Sequence, residues 1–132
     1  MPTVKNFFEA GVIIAELAEV KSKNVMGSIW LDLVEATPVC SGYARGSWFV
    51  TPNIPKRTNP LGPPPEINLD MDHCTEKYSY PSYPNLKRYT RNFSKWYIVN
   101  LAPYVEGLNN GDSKKASSGW VEDAISARLL RS

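Results

Sequence analysis

Six of the chain's eleven prolines stand at positions 52, 55, 60, 63, 64 and 65. Proline has no N–H to give a helix or a sheet ladder, and its ring holds φ at about −65°. The run from Asn53 to Glu66, with Gly62 in its middle, therefore forms neither a helix nor a central strand. It reads as a stiff, extended, exposed loop. Pro52 and Pro55 end the strand that precedes it. Any core must be built from the residues on either side of this break. Ordinary connections run about 4–6 residues, so an excursion this long points to a functional segment.

Before the break, Phe7, Phe8, Val12, Ile14, Ala15 and Leu17 recur at three- and four-residue spacings with acids and lysines between them. Val25, Ile29, Trp30, Leu33 and Val34 keep the same period. The spacing predicts one long helix over about Val4 to Glu35, with a kink or break near Lys21–Asn24 or Gly27. It ends by Thr37, because the residue before Pro38 is pushed out of the α region. Ser41 to Arg45 can make a single capped turn. Ser47-Trp-Phe-Val-Thr51 is β-branched and aromatic and predicts a strand. After the break, Ile67 to Tyr83 is an extended arm, Asn85 to Phe93 a short helix or an approach, and Lys95 to Asn100 the strongest strand. Pro103 opens a short helical turn that Asn109-Asn-Gly111 ends. Ser118-Gly-Trp120 starts a last helix with Arg128 and Arg131 near its C-terminus. The fold class is α+β. A long N-terminal helix and a C-terminal helix pack on a small, mainly antiparallel sheet, and residues 53–95 leave the body of a single domain, 1–132, as a Pro-rich arm.

The 132 residues, 42% of them hydrophobic, suffice for one core. A net charge of +2 does not demand a nucleic-acid partner. Glu9 and Glu16 interrupt the N-terminal apolar run, which argues against a signal peptide and for folding in a cytoplasm. No stretch approaches the roughly 18 apolar residues of a membrane span. Cys40 and Cys74 could pair, but a reducing cytosol favours free thiols. No cysteine–histidine cluster has metal-ligand spacing, so no metal or other cofactor is expected. Asp70-Met-Asp-His-Cys74 holds the only histidine, His73. Neighbouring residues of an extended segment point opposite ways, so His73 and Cys74 do not converge as a catalytic pair. Asn109 to Lys115 lacks the spacing of a phosphate-binding loop. No catalytic constellation is visible, and the chain is not expected to be an enzyme.

Two segments carry more. The first is Thr37-Pro-Val-Cys-Ser-Gly-Tyr-Ala-Arg-Gly-Ser-Trp48, and the second runs from Tyr97 to Trp120. Together they resemble the tail-completion, or neck, family of long-tailed bacteriophages. That family has Pro-Val-Asp-Thr-Gly-Arg-(hydrophobe)-Arg-x-x-Trp, then a strand ending Asn-x-x-Pro-Tyr-Ala-x-x-(hydrophobe)-Glu-x-Gly-x-Ser. Pro38, Val39, Gly42, Arg45 and Trp48 match the first motif. Cys40 and Ser41 stand in place of Asp and Thr, and Tyr43 in place of Arg. Asn100, Pro103, Tyr104, Glu106, Gly111, Ser113 and Lys114 match the second, with Asn109 in the place of the Glu that precedes the Gly.

The resemblance implies a structural virion protein, made in the host cytoplasm and incorporated in the neck. It implies a ring, commonly of six copies, between the head-side connector or adaptor and the tail terminator or tail tube. DNA contact would then come only through the channel, and no membrane is involved. The tail terminator of the same neck is the nearest alternative. A reading of another class rests on the aromatic–basic arm: Tyr78, Tyr80, Tyr83, Arg88 and Arg91 are candidate contacts for a neighbouring subunit or for nucleic acid.

Overall fold

The computed structural model describes residues 12–20, 22–65, 75–91, 93–110 and 118–131 and the backbone of residues 3–9. Strand β1 spans Thr3–Glu9, β2 Val12–Ala18, β3 Trp48–Pro52 and β4 Lys95–Asn100. Helix α1 spans Lys23–Ala36, α2 Val105–Asn109 and α3 Trp120–Arg131. The four strands form one antiparallel sheet in the order β1-β2-β4-β3. The α+β class is as expected.

The long N-terminal helix is not. Its first half is the hairpin β1–β2, with Glu9 opposite Val12. In β2 the residues Ile13, Ala15 and Leu17 are fully buried, which is a period of two. Their partners in β4 are Asn100, Ile98 and Trp96, all buried. Val12-Ile-Ile is β-branched and packs better on a pleated surface than against a preceding helical turn. Only the second half is helix. Ser22 caps it, its Oγ accepting from the N–H of Asn24 at 3.2 Å. Ser22-Lys-Asn24 is thus a helix start.

Helix α1 buries Met26, Ile29, Trp30, Leu33 and Val34, the i, i+3, i+4, i+7 stripe of an amphipathic helix. That stripe shares one core with Ile13, Leu17, Trp48, Val50 and Ile98 of the sheet. Thr37 ends the helix in extended backbone, as the following proline requires. Helix α3 lies on α1, burying Val121 and Ile125. The planar fork of Arg128 grips Asp32 with two bonds of 2.8 Å and ties the helices together.

Of the 53–95 excursion, many described residues are exposed, but several pack against the body. Tyr83 meets Trp30 edge to face at 5.6 Å, and Leu86 is buried. Tyr89, Phe93 and Trp96 form a triangle of edge-to-face rings 5.6–6.0 Å apart. A 3₁₀ turn covers Leu86–Arg88. The residues 81–89 thus form a strap beside the sheet.

The expectation of free thiols also fails: Cys40 is disulfide-bonded. The chain's one other cysteine, Cys74, lies outside the described residues. The compartment rule speaks of the solvent's redox poise and is blind to which residues the fold brings within bonding distance.

Candidate functional site

The two motif segments converge on one junction. At its centre is Asn100, the last residue of β4 and fully buried. Its Nδ2 donates to the Ala44 carbonyl at 2.8 Å, and its Oδ1 accepts from the Ala102 N–H at 2.9 Å. The Leu101 N–H donates to the Ser47 carbonyl at 3.1 Å, continuing the β3–β4 ladder one step beyond the strands. One amide side chain therefore bonds both segments, where burying it unpaired would be costly.

Trp48 follows at the start of β3, 2% exposed. Its indole N–H donates to Thr37 Oγ1 at 2.7 Å, and that hydroxyl donates in turn to the Leu33 carbonyl. The ring meets Trp120 edge to face at 6.2 Å. Trp120 donates its own indole N–H to the Leu108 carbonyl at 3.0 Å. Each large ring has its polar edge satisfied, as buried tryptophans require.

Gly42 has φ +90°, and a Cβ there would stand 2.6 Å from the Tyr78 carbonyl oxygen. Both the turn and the close approach of the Tyr78 backbone demand glycine. The Ser41 carbonyl accepts from the N–H groups of Lys77 and Tyr78 at 2.8 and 2.9 Å. Tyr43, where the resembled family has Arg, is 1% exposed and donates its hydroxyl to the Gly62 carbonyl at 2.6 Å. Asn59 bonds the same hydroxyl at 3.1 Å and Ser47 Oγ at 2.9 Å. The Pro-rich loop is thus moored by polar bonds to the first motif.

Tyr78 stacks edge to face on Tyr43 at 5.3 Å, and Tyr104 lies 6.4 Å from it. Burial pushes the Tyr104 hydroxyl up to about 12 and also raises Tyr43, so both stay protonated at neutral pH. They act as hydrogen-bonding groups and offer no ready base. Arg45 pairs with Glu76, reaches the Tyr78 carbonyl at 3.4 Å, and lies 5.2 Å from the Tyr80 ring centre.

Pro103 is exposed in the turn before α2, and Glu106 is half-buried in the first turn of that helix. Pro38 follows the end of α1 and is buried. Gly111, Ser113 and Lys114 lie outside the described residues, as do His73 and Cys74. Of the arm, Tyr78 is half-buried against Tyr43, while Tyr83 keeps one edge on Trp30 and is still 55% exposed, and Tyr80 is 51% exposed. Arg88 lies over the Tyr89 ring and Arg91 over Phe93.

The sequence reading missed Asn109 as a joint. Its Oδ1 accepts from the Val121 N–H at 2.9 Å, its carbonyl from the Gly119 N–H at 2.7 Å, and its Nδ2 donates to the Glu122 carboxylate. It therefore caps α3 from a distance. The signal was an Asn before a turn, which sequence spacing ties only to the helix it ends.

Among the described residues no three His, Cys, Asp or Glu gather to hold a metal ion. Among the same residues no helix is long and apolar enough to cross a membrane. Comparison with protein-family models, with curated proteins and with solved structures finds no match.

Proposed function

We propose that the chain is a structural protein of the neck of a long-tailed bacteriophage, a tail-completion protein that forms a ring between the head connector and the tail tube. The observation that supports this reading is the convergence of the two motif segments. Asn100 bonds Ala44, Tyr104 faces Tyr43, and Trp120 meets Trp48, so these described residues of the two segments form one structural unit. Residues scattered over unrelated surfaces would have weakened it. A small sheet with β1 and β3 as its edge strands suits ring building, because one head-to-tail contact repeated by rotation closes on itself. The ring is expected to hold six copies, with the connector or adaptor on one side and the terminator or tube on the other.

The test is removal of the gene from the phage or prophage that encodes the chain, followed by electron microscopy of the lysate. Full heads and finished tails that stay apart, and join when the purified protein is added, support tail completion. Tails of uncontrolled length point to the terminator instead. Normal infectious particles contradict both.

A further inference from the structure

The edge of the sheet at β3 is open in a specific place. The N–H of Leu101 bonds Ser47, and the N–H of Asn53 bonds the Lys95 carbonyl. These two bonded pairs bracket β3, and bonded and non-bonded pairs alternate along an antiparallel ladder. Phe49 and Thr51 therefore turn their peptide groups to β4, while Trp48, Val50 and Pro52 turn theirs to the free side. Three of those six outward positions are closed, which leaves the Trp48 N–H, next to the 3₁₀ turn Arg45–Ser47, and both groups of Val50. The Trp48 carbonyl accepts from the Trp30 indole at 3.0 Å, the Pro52 carbonyl accepts from the Ile54 N–H at 2.8 Å, and Pro52 has no N–H. Among the described residues nothing pairs with the N–H and C=O of Val50 on that side.

Val50 lines a cleft of about 350 Å³ between β3 and the strap. That is within the range, about 300–1,000 Å³, in which pockets hold ligands. The far wall carries Pro81 and Pro84, which have no N–H to offer the edge. The residues lining the cleft include two cations, Lys56 and Arg88, and no carboxylate. Lys56 lies 5.3 Å from the Phe49 ring centre and Arg88 4.9 Å from that of Tyr89. Among the described residues neither cation has an acidic partner.

We infer that this edge is a docking groove for an extended, acidic segment of a partner protein, which adds a short strand beside Val50 and sets its carboxylates on Lys56 and Arg88. Strand addition supplies main-chain bonds, and alternate side chains supply the choice of sequence. At Val50 the added strand forms one bonded pair, two hydrogen bonds, within a cleft that has apolar walls. The two cations select the sign of the ligand's charge, since a basic segment would meet like charges on both sides. A guard role for the cations is the competing account, because lysines and prolines often blunt a free edge. It predicts an edge closed to every peptide.

The experiment titrates the purified full chain with two capped pentapeptides, Val-Glu-Val-Glu-Val and Val-Lys-Val-Lys-Val, by calorimetry and amide NMR. The expected result is saturable binding of the acidic peptide alone, slowed exchange of the Val50 N–H, and weaker binding as salt rises. The double variant Lys56→Glu, Arg88→Glu changes two rim residues outside the core and should weaken the acidic peptide by roughly tenfold or more. Equal binding of both peptides, no binding up to millimolar peptide, or unchanged Val50 exchange would each overturn the inference. So would a self-associated chain, found by sedimentation, that the acidic peptide fails to separate: the edge would then belong to a second copy.

Discussion

Asn100 and Ala44 are joined by a 2.8 Å hydrogen bond across 56 positions of chain. The donor amide is fully buried, and its oxygen also holds the N–H of Ala102. Replacing Asn100 by Ala leaves a carbonyl and an N–H unpaired in the core, at about 1–3 kcal/mol each. Urea unfolding of Asn100→Ala should show a loss of that size. Unchanged stability would mean that water reaches the junction, and the two motif segments would not be joined as described.

Gly27 leaves room on α1 for the strap. A Cβ at that position would stand 1.8 Å from the Tyr83 hydroxyl oxygen. Gly27→Ala should favour the helix itself by about 0.5–1 kcal/mol while displacing Tyr83 from Trp30. The expected outcome is little change in global stability, faster amide exchange over residues 81–86, and red-shifted Trp30 emission. Unchanged exchange there would show that the strap is not held by this contact.

The hydroxyl of Tyr104 titrates at about 12, against 10.0 for a free tyrosine, because burial disfavours its charged form. A group whose pKa is raised by folding contributes stability that is complete below the unfolded value and lost as pH rises through the folded one. The wild-type protein should therefore lose stability between about pH 10 and 12. Tyr104→Phe removes that ionisation and should flatten the fall, measured as unfolding temperature against pH. Parallel curves for the two proteins would contradict the burial of this hydroxyl.

Cys40 is disulfide-bonded. Iodoacetamide should leave it unmodified in denaturant and label it only after reduction, read by peptide mass spectrometry. Removing such a bridge from a small domain typically costs about 2–5 kcal/mol, so reduction should also lower the unfolding temperature. Full labelling without reductant would contradict the bridge.

Trp48 to Thr51 and Lys95 to Asn100 announce themselves as strands by β-branched and aromatic content between turn residues, and both are strands. The last helix declares itself through Trp120, Val121 and Ile125, all buried. The N-terminal residues misled because Phe8, Val12 and Ala15, and likewise Ile14 and Leu17, fall at helical spacings, while Ile13, Ala15 and Leu17 fit a strand. Only pairing with β4 decides between them. The junction residues Asn100, Trp48 and Tyr104 were legible as motif members, but their partners were not. The bond from Asn100 to Ala44, the cap from Asn109 to Val121, and the socket at Gly27 for Tyr83 join residues far apart in sequence. Such contacts depend on how the elements stack, which local spacing does not encode.

The central claim, a ring protein of the phage neck, is tested most directly by cryo-electron microscopy of the particle that encodes this chain. The account predicts a ring of copies at the head–tail junction, with Trp48, Asn100 and Trp120 packed inside each one. A complete neck density into which this chain does not fit, with the protein found only free in infected cells, would contradict it.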